Sequence, residues 1–325
     1  MEALRRVEES LLGERSAVGE VRSAMGRLDA EERPVVGAKL HEVSSAITDL
    51  IELRRADLEE AEEENRIESE RLDLSFDSLR ISRGHHHPIT QTIDEVVNIF
   101  VGLGYAVASG PEADLAWYNF DALNTPPTHP ARLESDTMYL DYGDPADEAL
   151  MRAHTSTVQV RWMESHPPPV HIVVPGRAYR LDTIDASHLP VFFQIEGLAV
   201  DTDINFSHLK GTLAYFAKEF LGPSTEVRLR PSFFPFTEPS AELDVSCFVC
   251  DGNDPGCRVC KGVGWLEMLG CGMVDPNVLE AVGYDPAQVS GFAFGMGVER
   301  LAMVRNGIDS IRHFVDNDLR FLEQF

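Results

Sequence analysis

Lysine is nearly missing from this 325-residue chain: only four of its 28 Lys and Arg residues are Lys, against 54 Asp and Glu, for a formal net charge of −26. Phosphate backbones are bound mainly through cationic side chains, so so acidic a composition argues against a surface built to coat nucleic acid. Long hydrophobic runs are absent too. No stretch approaches the length that spans a bilayer, and the charged, helical beginning is unlike a signal peptide, so no membrane association is expected. Cysteine is scarce, and its five residues fall between 247 and 271 with no even spread of pairs. That pattern speaks against a disulfide framework and for a reducing compartment, and the expected location is cytoplasmic. No internal repeat is found. The hydrophobic fraction of 43% is ordinary for a globular protein, and the length allows one large domain with a smaller appendage.

Residues 1–83 read as the appendage and its linker. Leu4, Val7, Leu11, Val18, Val21, Met25 and Leu28 recur at helical spacing. Val36, Leu40, Val43, Ile47, Leu50, Arg54, Leu58 and Ala61 alternate fours and threes, the seam of a coiled coil. Asp29, Glu32 and Pro34 between them supply a cap and a start signal, so an antiparallel helical hairpin is predicted. The acidic run 59–64 reads as a solvated face. The second helix should fray near Arg71, and 73–87, including the tract His85, His86 and His87, reads as an exposed linker. From residue 84 to 325, strand and helix signals alternate, and several strands follow one another without intervening helices. The expected fold is therefore α+β, an antiparallel sheet flanked by helices.

Cys247 and Cys250 form one Cys-x-x-Cys unit and Cys257 and Cys260 a second, with Asn253, Pro255, Gly256, Gly262 and Gly264 supplying turns. Four thiolates satisfy tetrahedral Zn²⁺ and leave no open position, so the site predicted near 247–264 is structural. A redox pair is the alternative, but no thioredoxin-like strand and helix flank these cysteines. Cys271 stands apart and reads as a buried packing residue.

The most telling segment is 291–304. Small and apolar residues alternate from Gly291 to Val298 at a strand's period, and Glu299 and Arg300 then open an apolar helical run. A Gly-rich strand lets a flat ligand lie on backbone, and an Arg at its end can stack on a purine or fork onto phosphate. Two strand-like runs, 176–182 and 190–201, flank a loop carrying Asp182, Asp185 and His188, the pattern of a long β-hairpin with charges at its tip. A third segment, 104–112, follows an amphipathic stretch and ends at Pro111 and Glu112.

In this order the three segments resemble the signature motifs of class II aminoacyl-tRNA synthetases: the helix and strand ending in Pro111, the unit Tyr179, Arg180, Leu181, Asp182, and the Gly-rich strand ending in Glu299 and Arg300. His154 to Ser156, Phe192 to Gly197, and Arg230 to Glu238 narrow the resemblance to the α subunits of bacterial phenylalanyl-tRNA synthetases, over nearly the whole chain. Many members lack the four clustered cysteines, so that insertion is read from this chain alone.

The resemblance implies ATP-dependent activation of L-phenylalanine and its transfer to tRNA(Phe), with Mg²⁺, in an assembly of two α and two larger β subunits. It assigns Arg180 to the amino-acid carboxylate and the α-phosphate, Arg300 to the nucleotide from the other side, Phe192 to adenine, and His188 to the outer phosphates. Glu299 joins the ATP site, and Glu238 becomes a Mg²⁺ ligand. It places His154, Ser156, Gln194 and Glu196 at the polar end of the amino-acid pocket, and Phe234, Phe236, Ala293 and Gly295 around the ring. Spacing agrees in part, since Phe234 and Phe236, two apart on a strand, would share a face. The N-terminal hairpin would reach toward tRNA. Two readings of the acidity stand together: acid covering the outer surface, as in a high-salt cytoplasm, and tRNA contact left largely to the partner chain. A paralogue that binds without catalysing is one rival, although Arg180, Asp182, Glu196, Glu299 and Arg300 are all present. An enzyme adenylating a different amino acid is the other.

Overall fold

The computed structural model describes residues 2–72, 84–247, 249–250, 252–257 and 259–325. The chain separates into two compact units, Met1–Arg83 and Gly84–Phe325. Most of the linker expected over 73–87 lies outside the described residues. Its last residue is no linker: His87 is half-buried at the start of a helix, its Nδ1 accepting from the Ile89 N–H at 3.2 Å while Nε2 meets the Phe314 carbonyl at 3.1 Å.

The first unit holds α1 (Glu2–Leu12), α2 (Ala17–Ala24) and α3 (Glu32–Ser69). The helix expected over 4–28 is broken, because Ser16 caps a new helix, its Oγ accepting from the Gly19 N–H at 3.0 Å. Asp29 contributes to the start of α3 through its carbonyl, which accepts from the Glu32 and Arg33 N–H groups, and not through a side-chain cap. The helices run antiparallel: Arg55 pairs with Glu8 at 3.0 Å, while Met25 lies against Gly37. The shielded stripe on α3 passes through Val36, Leu40, Ser44, Ile47, Ile51, Arg55 and Leu58. Val43 and Leu50 of the expected seam are exposed, one place off the stripe. The observed steps of four, four and three repeat every eleven residues, close to the natural period of a straight helix, whereas alternating fours and threes would demand underwinding.

The second unit contains β1 (Ala106–Val107), β2 (Ala113–Leu115), β3 (Ala149–Met151), β4 (Val170–Tyr179), β5 (Val191–Asp201), β6 (Val227–Phe234), β7 (Thr237–Ser246), β8 (Trp265–Val274) and β9 (Ser290–Gly297). Its helices are α4 (Pro88–Gly102), α5 (Ala116–Asn119), α6 (Ser156–Ser165), α7 (Phe206–Leu221), α8 (Pro276–Ala281), α9 (Val298–Asn306) and α10 (Leu319–Leu322). Seven strands form one sheet in the order β1-β4-β5-β9-β8-β7-β6. Its neighbours are antiparallel except β1 and β4, which are parallel. Strands β2 and β3 pair separately. This is the expected α+β sheet flanked by helices.

Alternation along the strands divides the core. Val173, Ile195, Leu243, Phe292 and Phe294 face α4, α7 and α9 through Phe100, Phe216 and Leu301. Ile172, Val174, Leu198 and Val274 face the other way, toward Val158 and Met163 of α6 and Val278 of α8. No helix among the described residues is long and apolar enough to cross a membrane.

Candidate active site

Period-two alternation puts Phe192, Gln194, Glu196 and Leu198 of β5 on the face opposite α4, α7 and α9. Strand register then carries a row across five strands: Glu196 opposite Gly295, Gly295 opposite Gly270, Gly270 opposite Glu242, and Glu242 opposite Arg230. The two glycines leave the middle of the row bare. A Cβ on Gly295 would fall 3.0 Å from Gln194 Nε2, and one on Gly270 would fall 2.8 Å from Phe234 Cζ. Above this floor opens a cavity of about 630 Å³.

Glu196 anchors its polar end. The carboxylate is buried and sits at the N-terminus of α6, where Oε1 accepts from the Thr155 N–H at 3.1 Å and Oε2 from Gln159 Nε2 at 3.0 Å and from the Ser156 hydroxyl. Burial pushes the carboxyl up to about 7, opposed by the Ser156 and Thr155 hydrogen bonds and by Arg180 and Arg152. Burial, with Arg180 close by, also holds the His154 imidazole down to about 3, so it is neutral at physiological pH. His154 Nδ1 and Gln194 Oε1 are buried polar atoms with no partner among the described residues, both belonging to residues of the cavity wall. The segment bearing His154 is pinned from below, the Ala153 N–H donating to Oδ1 of fully buried Asn119 at 3.0 Å.

The other end is aromatic. Phe234 and Phe236 stack with ring centres 5.9 Å apart, and both line the cavity beside Ala293, Leu198, Met163 and Val278. The two rings do not share a strand, as their spacing suggested. Strand β6 ends at Phe234, and Phe236 lies in the turn that returns the chain into β7.

Arg180 leaves the end of β4, lines the cavity, donates from Nε to the Ala153 carbonyl at 3.2 Å, and lies 5.1 Å from the Phe192 ring centre. Arg300 follows the end of β9. Because β5 alone separates β4 from β9, and Tyr179 opposes Val191 while Gly297 opposes Gln194, the two strand ends stand on the order of 14 Å apart at one end of the sheet. Arg300 is exposed and does not line the cavity. Glu299 faces away from it: buried, it receives the Phe193 N–H on Oε1 at 2.9 Å and Oε2 at 3.1 Å, and burial pushes it up to about 7. His188 is exposed at the hairpin tip, paired with Asp185 at 3.0 Å. Glu238 is exposed, its side chain makes no hydrogen bond or ion pair among the described residues, and it lies outside the cavity wall. The cavity's own carboxylates on β7 and β8, Glu242 and Glu267, are engaged by Arg230 at 2.9 and 3.2 Å.

Sequence reading missed Gln159 and Arg152. Gln159 stands one helical turn after Ser156, so the spacing within a predicted helix could have flagged it. Arg152 carries no such signal. Buried, it donates from Nε to the Arg177 carbonyl at 2.7 Å and from Nη1 to the Gly110 and Pro111 carbonyls at 3.2 Å, tying three distant segments together.

The four cysteines converge. Their sulfurs all lie within 4.8 Å of one another, with Cys247 and Cys257 3.8 Å apart and Cys250 and Cys260 3.5 Å apart. These separations exclude disulfides and match the roughly 3.8 Å edge of a tetrahedron with metal–sulfur bonds of about 2.3 Å. The group can hold a metal ion. Cys271 is buried in the main core, as expected.

Comparison with known proteins decides the family. Residues 71–325 match the family described as tRNA synthetases class II core domain (F), and residues 1–67 match the aminoacyl tRNA synthetase class II, N-terminal domain. The phenylalanine–tRNA ligase alpha subunit of Anoxybacillus flavithermus is 51% identical over 100% of this chain and 93% of its own. That of Geobacter metallireducens is 51% identical over 100% and 94%, and that of Gloeobacter violaceus 50% over 99% and 93%. The chain belongs to the phenylalanyl-tRNA synthetase α-subunit family, within the class II synthetases. Beyond this family the fold extends to a crystal structure of pyrrolysyl-tRNA synthetase from Desulfitobacterium hafniense, with a TM-score of 0.54 at 16% identity over 99% of this chain and 96% of that one. At that identity the likeness is one of fold alone. In the phenylalanyl-tRNA synthetase chain described here, the class II sheet carries the cavity and its two chemically different ends.

Proposed function

We propose that this chain is the catalytic α subunit of a phenylalanyl-tRNA synthetase, joining L-phenylalanine to ATP as an adenylate and passing it to tRNA(Phe) together with a β subunit. One observation carries the substrate: a single cavity has a polar end at Glu196, with the Gln194 Oε1 and His154 Nδ1 atoms left without a partner among the described residues, and a stacked aromatic end at Phe234 and Phe236. The amino acid's ammonium meets Glu196 and Gln194, with Ser156 and His154 completing the polar wall. Its ring lies against the phenyl groups over Ala293 and Gly295, where an edge-on aromatic contact suits it.

Activation needs no general base, since the attacking carboxylate is already charged. The barrier is repulsion and misalignment of two anions, so positioned cations lower it. Arg180 serves as that cation, held by the Ala153 carbonyl and by Phe192. Phe192 stacks on the adenine, Arg300 closes on the nucleotide from the end of β9, and His188 reaches the outer phosphates from the hairpin tip. Glu299 supports this end through the Phe193 N–H. Mg²⁺ would supply charge neutralisation on the phosphates. Glu238, outside the cavity wall, suits it as a hard oxygen donor, while Glu242 and Glu267 in the wall pair with Arg230. The tetrathiolate of Cys247, Cys250, Cys257 and Cys260 suits Zn²⁺ in a structural role.

An aromatic pocket rejects one extra hydroxyl only about a hundredfold, so tyrosine leaks in and a second, hydrolytic site is required. That work, and much of the tRNA contact that a chain of net charge −26 is poorly suited to make, falls to the β subunit in a two-α, two-β complex in the cytoplasm. ATP–pyrophosphate exchange by the purified complex, run across all twenty amino acids, tests the reading. Phenylalanine should dominate with tyrosine far behind, and the α chain alone should not aminoacylate tRNA. Exchange with a different amino acid, or none at all, overturns it.

A further inference from the structure

The four-cysteine insertion sits at a particular end of the sheet. Strand β7 runs from the aromatic turn at Phe236 toward Ser246, and the cysteines occupy the connection from there to Trp265 at the start of β8. Register passes from β8 through β9 to β5, with Leu269 opposite Met296 and Met296 opposite Ile195. The knuckle is therefore at the same end as Phe192, Arg180 and Arg300, while the aromatic pocket lies toward the other end of the strands.

Its base is built into the core. Cys247, Cys257 and Cys260 are buried with Val245, Leu266 and Met268, and the Cys247 N–H donates to the Gly264 carbonyl at 2.9 Å. Three residues before Cys247, Asp244 stands opposite Glu267 on β8. Arg230 grips Asp244 with Nε at 2.7 Å and Nη2 at 2.9 Å, and also reaches Glu242 and Glu267. Arg228 holds the same aspartate at 2.8 Å and lies 4.4 Å from the ring centre of Trp265, the residue that opens β8. The register shifts between Leu243 and Asp244, so the pairing that sets this cluster is the short stretch between the bulge and the knuckle. Such a stretch is held at one side by only a few ladder bonds, and a crosslink at its open end fixes which residues face each other.

We infer that the metal held by the tetrathiolate pins β7 against β8 so that Glu242 and Glu267, gripped by Arg230, stand correctly in the cavity wall, making it a positioning element for nucleotide binding and not merely a local staple. This rests on the zinc and active-site reading above. Loss of the ion should slacken the nucleotide end of the cavity and spare the phenylalanine end.

The αβ complex is assayed for metal by mass spectrometry, then stripped with a mercurial and EDTA, dialysed, and compared by pyrophosphate exchange before and after Zn²⁺ is restored. The expected result is one Zn²⁺ per α chain, a KM for ATP raised at least fivefold on stripping, a KM for phenylalanine changed less than twofold, and recovery on adding Zn²⁺. Substoichiometric metal in the untreated complex removes the zinc reading itself. Stoichiometric zinc with both KM values unchanged on stripping keeps the site and overturns the positioning role. Parallel rises in both KM values, or loss of fold, also overturn it by showing a general structural effect. Cys250→Ser alters the half-buried member of the four and should repeat the selective rise in KM for ATP. Should that variant fail to fold, Co²⁺ loaded into the stripped wild-type complex provides the readout, since thiolate ligation gives sulfur-to-cobalt charge-transfer bands and a tetrahedral site intense visible ligand-field bands, and both must accompany recovery of the KM for ATP.

Discussion

The ring of Phe234 occupies the space that a side chain at residue 270 would need: a Cβ on Gly270 would stand 2.8 Å from Phe234 Cζ. The atom in the way is the tip of a side chain, so an added methyl would push the ring toward the cavity and leave the backbone in place. Gly270→Ala should therefore raise the KM for phenylalanine roughly tenfold, the scale of one methylene in an apolar pocket, with little change in melting temperature. Steady-state exchange kinetics with a thermal melt check both halves.

Ala293 lies in the cavity wall on the same face as Leu198, its partner across β5 and β9. Removing its methyl deepens the aromatic end. Ala293→Gly should admit para-substituted phenylalanines such as the 4-chloro compound, and an unchanged substrate range in an adenylation assay would place the ring elsewhere.

Glu196 makes activity depend on pH. Burial raises its carboxyl to about 7, and the ionised form is the one that holds an ammonium. Thus kcat/KM for phenylalanine should fall as pH drops through about 7, and Glu196→Gln should lose that acidic limb along with most activity. Ser156 donates to the ionised carboxylate, so Ser156→Ala should move the inflection upward.

Glu299 offers a stability test of the same kind. Its folded value of about 7 exceeds its ordinary value of 4.5, so between those two pH values the folded state binds the extra proton. Stability must then decrease as pH rises through this window, the reverse of a salt-bridged carboxylate. Glu299→Gln keeps an acceptor for the Phe193 N–H without the charge. Its melting temperature should decline less than that of the wild type between pH 5 and pH 8.

Arg180→Ala removes a charge-assisted contact of about 1.5–3 kcal/mol from the reacting anions, so exchange should slow roughly ten- to a hundredfold. If the residue acts mainly on the transition state, kcat falls and the KM for phenylalanine moves little.

Much of the site could be read in the chain because its residues recur on strands. Gln194 and Glu196 share a face by simple alternation, and the Gly-rich run at 291–297 announced a bare strand. Glu299 and Phe236 were harder. Adjacent to Arg300 in sequence, Glu299 reads as part of the same site, yet a helix turns successive side chains by about 100°, and this one is carried inward onto the backbone of β5. Phe236 reads as a strand residue by its spacing from Phe234, although Pro235 between them marks where β6 gives way to the turn. On α3 the pattern of apolar residues admitted two seams, and packing against α1 and α2 selected the one with the period of a straight helix.

Local composition and spacing sufficed for the class of fold, the order of motifs and the four-sulfur group, since each is expressed within a few positions of its own segment, whereas the residues proposed around the substrate came from the resemblance those motifs carry. Only the assembled sheet decided that Glu196 and Arg230 belong to one row, that Arg152 braces segments far apart in the chain, and that the cysteines lie at the same end of the sheet as Phe192, Arg180 and Arg300. Those facts depend on register between strands separated by long stretches of chain, and register is set by packing on both faces of the sheet at once.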